Sequence, residues 1–164
     1  MAESALIFLD TNIFIYAIER PIGIDIGIAD LLLDLIAINL SPERLAIAAS
    51  ELTLAEVLVA PYKANDVSLV AKYEGVFAGN LSITVEPISL DILRAAALIR
   101  SSNTAIKLPD AIHLATASAL KCSHFLTADI ALANNAQKMS FPIPIMQPRA
   151  EFLTALIKGS APNA

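Results

Sequence analysis

The chain has 164 residues, of which 56% are apolar, with a formal net charge of −5 and a single cysteine. That length suits one core burying roughly 70% of the unfolded surface, and the apolar share lies above the usual range of about 45–50%. The acidic balance excludes a broad basic surface for gripping nucleic-acid phosphates, the lone Cys122 excludes an internal disulfide or a cysteine-built zinc site, and no apolar run reaches the roughly 18 residues of a membrane span.

Residues 5–9 form an apolar run of strand length that ends at Asp10. Nothing before it reads as a basic leader with a cleavage site, so a cytoplasmic protein is expected. Helical spacing follows over 12–19 and, after the Pro21-Ile22-Gly23 step, over 24–39, where Asp25, Asp30 and Asp34 interrupt the most apolar region. Ser41-Pro42 marks a break before a second strand run at 45–49. Helices are then expected at 50–61, capped by Ser50, and at 66–79, capped by Asp66. A third strand run at 83–88 leads to a helix at 89–102, capped by Ser89, and another at 109–121 with Pro109 in its first turn. The remaining elements are strand runs at 124–127 and 143–146 around a helix at 130–137, the last strand set off by Phe141-Pro142-Ile143-Pro144. The small, polar segment 158–164 reads as a disordered tail, which leaves one domain over 1–157. Several strand runs are apolar at successive positions, as in parallel strands covered on both faces. The alternation of strand and helix therefore predicts an α/β fold.

Four acids stand out against this pattern. Asp10, Glu56, Asp110 and Asp129 each lie inside an apolar run, and Lys107 is the only Lys or Arg within six positions of any of them. A carboxylate withdrawn from water without a partner costs several kcal/mol or gives up its charge. Convergence on a divalent metal with a taste for hard oxygen ligands, Mg²⁺ or Mn²⁺, answers that cost most economically. Asp10 closes the first strand and Asp129 follows the fourth, so both fall at strand carboxyl ends, where open α/β sheets bind ligands.

Each residue also has a plainer reading. Asp10 and Asp129 fit helix caps, Glu56 a solvated helix face, and Asp110 a partner for Lys107 one turn away. His113 shares a helix face with Asp110 and is read as a packed, hydrogen-bonded histidine ahead of a proton shuttle or ligand. Asn12, Thr53 and Thr127 are expected to orient the carboxylates or a water, and Cys122 to be a small buried thiol. No glycine-rich nucleotide loop and no Gly-x-Ser-x-Gly is present. The segment Ile7-Phe8-Leu9-Asp10-Thr11-Asn12 is similar to the first motif of haloacid dehalogenase-type phosphatases, but Asn12 stands where their general acid would be, and an amide cannot serve.

Taken in order, Leu-Asp-Thr-Asn at 9–12, Thr-Leu-Ala-Glu-Val at 53–57, Leu-Pro-Asp-Ala-Ile-His-Leu-Ala at 108–115 and Leu-Thr-Ala-Asp at 126–129 resemble the PIN-domain ribonucleases, above all the VapC-type toxins of toxin–antitoxin pairs. The resemblance implies a three-layer α/β/α domain with a central parallel sheet of about five strands. It further implies a Mg²⁺ or Mn²⁺ site at Asp10, Glu56, Asp110 and Asp129 that hydrolyses RNA phosphodiesters to 5′-phosphate and 3′-hydroxyl ends. An antitoxin partner and a homodimer are implied as well, with Lys107 the nearest candidate for a phosphate contact. A non-catalytic PIN-like interaction module is the alternative, and a Mg²⁺-dependent phosphatase a weaker one.

Overall fold

A computed structural model of the chain describes residues 5–37, 45–78 and 83–159. Strands β1 (Ala5–Leu9), β2 (Leu45–Ser50), β3 (Ile83–Glu86), β4 (His124–Leu126) and β5 (Ile145–Met146) form one sheet in the order β3-β2-β1-β4-β5. Every pairing is parallel, with Phe8 opposite Ala48 on one side of β1 and opposite Phe125 on the other. The order runs outward in both directions from β1, so the chain switches direction between β1 and β4. Such a switch point opens a crevice at the carboxyl ends of the strands.

Helices α1 (Thr11–Ile18), α2 (Ile26–Ala37), α3 (Glu51–Ala64), α4 (Val67–Phe77) and α8 (Ala150–Ile157) cover one face of the sheet, and α5 (Leu90–Ser102), α6 (Leu108–Ala119) and α7 (Ile130–Lys138) cover the other. The period-2 alternation of a strand explains the continuous apolar runs. Ile7 and Leu9 point into the first layer with Phe14, Leu32 and Leu35, whereas Phe8 points into the second with Ile112, Leu114 and Phe125. The three-layer α/β/α arrangement with five parallel strands is the one expected.

Local chemistry sets most boundaries. Ser50, Asp66 and Ser89 each accept a backbone N–H in the first turn of α3, α4 and α5, and Pro109 lies in the first turn of α6. On α2 the buried residues are Ala29, Leu32, Leu35 and Ile36, while Asp30 lies outside and meets Arg20 at 2.6 Å. Helix α3 continues past the expected stop at Pro61 to Ala64, ending where Asn65 takes a left-handed φ of 53°. A proline one turn from the end removes a single intrahelical bond, and tertiary packing of the buried Pro61 offsets that loss. Strand β3 stops at Glu86 rather than 88, and β5 is confined to Ile145–Met146, because Pro87 and Pro144 have no N–H to give the ladder.

One element was not expected. Helix α8 buries Phe152, Leu153 and Leu156 in the same cluster as Leu32, Leu35 and Ile36 of α2. Its apolar residues recur at helical spacing, but no capping side chain announces it. The expected tail at 158–164 begins with Lys158 capping α8 and Gly159 at a φ of 69°. Residues 160–164, the Ser41-Pro42 break, and the helix ends expected at 38–39 and at 79 lie outside the described residues.

Tyr73 is the one buried residue of α4, and its hydroxyl donates to Glu19 Oε1 at 2.5 Å, tying α4 to the end of α1. Burial, followed by the bonded Glu19 carboxylate, pushes the phenol pKa up. Tyr73→Phe is expected to cost about 1–2 kcal/mol of stability, the net worth of one charge-assisted bond whose acceptor can rehydrate. Urea denaturation of the two proteins measures it. Equal midpoints would mean that the hydroxyl does not hold α4 in solution.

Candidate metal centre

The site grows from the end of β1. Asp10 donates its backbone N–H to Leu126 O at 3.0 Å, extending the β1–β4 ladder by one bond. Its side chain is then trapped at the switch point, and the residue is only 4% exposed. Three donors compensate the lost water. Thr11 N reaches Oδ1 at 2.8 Å, and Oδ2 accepts the Thr127 hydroxyl at 2.6 Å and Asn12 Nδ2 at 3.0 Å.

That network continues into the neighbouring loop. Asn12 Oδ1 accepts Ala128 N at 3.0 Å, and Thr127 Oγ1 accepts Asn12 Nδ2 at 3.1 Å and Asp129 N at 3.0 Å. Every hydrogen-bonding site of the Thr127 hydroxyl is thus used, and the loops after β1 and β4 are joined. Asp129 in turn caps α7, accepting Leu132 N at 2.9 Å. Asp10 and Asp129 are therefore both helix caps, each through a single oxygen.

Asp110 comes from the first turn of α6 on the opposite layer. Burial pushes its carboxyl up to about 6, helped by the charges of Asp10 and then Asp129. These charges prevail over the opposing pull of His113 and Lys107. Asp110 therefore feels carboxylates from distant parts of the chain. The Lys107–Asp110 pair of the plainer reading is not formed; Lys107 is exposed at the N-cap of α6, and no Lys or Arg bonds any of the four acids among the described residues.

Glu56 joins the cluster by a different route. His113, one turn beyond Asp110, is 1% exposed and sends Nε2 to Glu56 Oε2 at 2.8 Å, with Asp10 Oδ1 at 4.0 Å. The Thr11 hydroxyl also donates to Glu56 Oε2 and lies 3.2 Å from His113 Nε2. Burial raises the Glu56 pKa, but the bonds from His113 and Thr11 and the charge of His113 outweigh it and hold the carboxyl below its ordinary value. His113 is thus packed and hydrogen-bonded as expected, and it is also the link between two acids.

The donor set is chemically suited to Mg²⁺ or Mn²⁺: hard carboxylate oxygens, mutually repelling, without a permanent cation bonded to them. Among the described residues no three His, Cys, Asp or Glu side chains are gathered closely enough to enclose one ion, so binding would draw the side chains together. Asn12 and Thr127 occupy the supporting positions expected of them, whereas the Thr53 hydroxyl is buried without a partner among the described residues. Thr11 was not foreseen as a partner of Glu56. Its place as the polar residue between Asp10 and Asn12, in an otherwise apolar segment, was the available signal. Burial pushes the Cys122 thiol up to about 12, which removes it as a nucleophile.

A cavity of about 540 Å³ lies at the α1–α2 turn, lined by Tyr16, Pro21, Ile22, Asp25, Ile28 and Pro148, and none of the four acids borders it. No helix among the described residues is long and apolar enough to cross a membrane.

A family model described as the PIN domain matches residues 7–138 of the chain. Among solved structures, VapBC2 from Rickettsia felis bound to a promoter DNA fragment is similar with a TM-score of 0.62 at 18% identity, over 87% of this chain and 98% of that one. A toxin–antitoxin complex from Klebsiella pneumoniae gives 0.58 at 24% identity, over 89% and 98%. FitAcB from Neisseria gonorrhoeae gives 0.57 at 19% identity, over 87% and 97%. These likenesses speak for the fold. No curated protein matches the sequence.

Proposed function

Since this chain belongs to the PIN domain family, we propose that it is a metal-dependent endoribonuclease, acting in the cytoplasm as the toxin of a toxin–antitoxin pair. One observation carries the reading: Asp10 is buried at the switch point of a parallel sheet, and Asp110 is pushed up to about 6 by burial, then by the charges of Asp10 and Asp129. A structural cluster would be expected to contain a permanent counter-charge, and among the described residues His113 alone meets these acids, with no Lys or Arg bonded to them.

In this reading Asp10, Asp110 and Asp129 hold Mg²⁺ or Mn²⁺, and Glu56 holds a second ion or positions the attacking water. Such an ion, when bound, lowers the pKa of water and offsets charge developing on the phosphate. The chain supplies order. The bonds from Thr127 and Asn12 to Asp10 Oδ2 leave Asp10 little rotational freedom, so its orientation is set before substrate arrives. Lys107, exposed at the start of α6, supplies a positive contact for a phosphate beside Asp110. A phosphatase of the haloacid dehalogenase type is disfavoured, because Asn12 donates its amide to Asp10 and an amide N–H is too weak an acid to protonate a leaving group.

Partners follow from the same kinship. The similar structures include a toxin–antitoxin complex, which supports a cognate antitoxin for this chain. Val59, Tyr62 and Val67, apolar and exposed on α3 and α4, support a homodimer.

Incubating the purified protein, freed of any partner, with total RNA in Mg²⁺, Mn²⁺ or EDTA tests the activity. Cleavage that leaves 5′-phosphates and disappears in EDTA is the expected result. Folded protein that cuts no RNA under any of these conditions would shift the reading to a non-catalytic interaction module.

A further inference from the structure

We propose that His113 is a positioning residue, which fixes the carboxylate of Glu56 through Nε2–H on Oε2 and leaves Oε1 as the oxygen that would serve a metal ion or a water. The proposal rests on the nuclease reading for its purpose, though its geometry stands alone. Helix α6 delivers Asp110 and His113 one turn apart on one face, so the imidazole lies directly behind the acidic cluster. The ring is 1% exposed and packs against Phe8 at a centroid separation of 5.8 Å. Neighbouring Ala111, Ile112, Leu114 and Ala115 are buried apolar residues.

A histidine serving only as filler in such a place would be a poor choice, because two ring nitrogens lose water. Nδ1 is buried without a partner among the described residues, so the polar contacts of this ring rest on Nε2 alone. That nitrogen lies 2.8 Å from Glu56 Oε2. Being so close to a carboxylate oxygen, it is assigned as the protonated nitrogen.

The effect on Glu56 is directional. Its side chain is 31% exposed on α3 and would otherwise sample several rotamers. The His113 N–H and the Thr11 hydroxyl both converge on Oε2, which ties down one oxygen and leaves the other free of both bonds. A ligating or water-positioning carboxylate held in this way has fewer rotamers to lose when its partner arrives. The same Nε2 lies 4.0 Å from Asp10 Oδ1, so the imidazole lies between the acids that follow β1 and belong to α3.

His113→Leu removes the N–H at similar volume, and His113→Gln restores an N–H near the position of Nε2. On the full chain, the aliphatic variant is expected to lower kcat on RNA and Mn²⁺ affinity about tenfold to a hundredfold with KM nearly constant, and the glutamine variant to recover most of the loss. Calorimetric titration with MnCl₂ reads the affinity independently of cleavage. Adding His113→Leu to Glu56→Gln should produce no further loss, since one residue acts through the other. His113→Phe keeps a ring without the N–H and takes over the comparison if the leucine variant does not fold. The proposal is overturned if folded Leu or Phe variants keep wild-type kcat and Mn²⁺ affinity, or if the double variant loses the full product of the two single effects. A wild-type protein that cuts no RNA defeats the nuclease reading instead, and the Mn²⁺ titrations then decide the role of His113 by themselves.

Discussion

Asp10→Asn is expected to fold and to cut RNA at least about a thousandfold more slowly than the wild type, the size of several kcal/mol of lost charge stabilisation in the transition state. The substitution is nearly isosteric, so packing at the end of β1 is retained. What changes is charge, together with one acceptor. Oδ1 accepts Thr11 N and Oδ2 accepts Thr127 and Asn12, so whichever oxygen becomes NH₂ will confront a donor. That mismatch costs about 1–3 kcal/mol, offset in part by removal of a buried charge. A second signature follows, because the charge of Asp10 helps to push Asp110 up to about 6. In the variant the Asp110 carboxyl should titrate closer to its ordinary value, as read by carboxyl NMR. Single-turnover cleavage in Mn²⁺ measures the main effect; a loss smaller than tenfold from folded protein would remove Asp10 from the machinery.

Asp110→Asn should also abolish cleavage, yet leave the metal-free protein more stable at pH 8 than the wild type. The folded-state pKa of Asp110, about 6, lies above its ordinary value of 3.8, so the folded protein holds this proton more tightly than the unfolded chain does. The stabilisation is complete below 3.8 and is lost as pH rises through about 6. The ionised group then costs at most about 3 kcal/mol, a figure that solvent screening of a half-buried carboxyl reduces. Glu56 has the opposite sign: its pKa is held below 4.5, so its contribution is present above 4.5 and disappears as pH falls through the folded value. Urea denaturation in EDTA at pH 5 and pH 8 separates them. The wild type should lose stability relative to Asp110→Asn as pH rises across that interval. Mn²⁺ should restore stability to the wild type far more than to the variant, since an ion bound only by the folded state stabilises it, and its affinity should weaken below about pH 6, where the proton competes. Equal pH slopes for the two proteins would show that Asp110 does not carry this charge strain.

What the sequence determined by itself was local. Strand runs apolar at successive positions announced a sheet covered on both faces, and Ser50, Asp66, Ser89 and Pro109 marked helix starts, because capping and periodicity act over only a few residues. The four acids were legible for the same reason: each breaks an apolar run without a local cation apart from Lys107. Boundaries failed where a distant contact overrode a local preference, as at Pro61 inside α3, or where a helix lacked a capping side chain, as at α8. The site itself required the tertiary structure. Asp10 and Thr127 are 117 residues apart, and Glu56 and His113 are 57 apart, so neither bond has a trace in the spacing of the chain. Strand order decided that β1 and β4 are neighbours, which joins the loops carrying Asp10 and Asp129. The packing of α6 against the sheet brought Asp110 within the field of Asp10 and Asp129 and His113 within reach of Glu56. Carboxylate identity is a property of sequence, but the field the carboxylates share falls off with distance in space, and only the fold sets that distance.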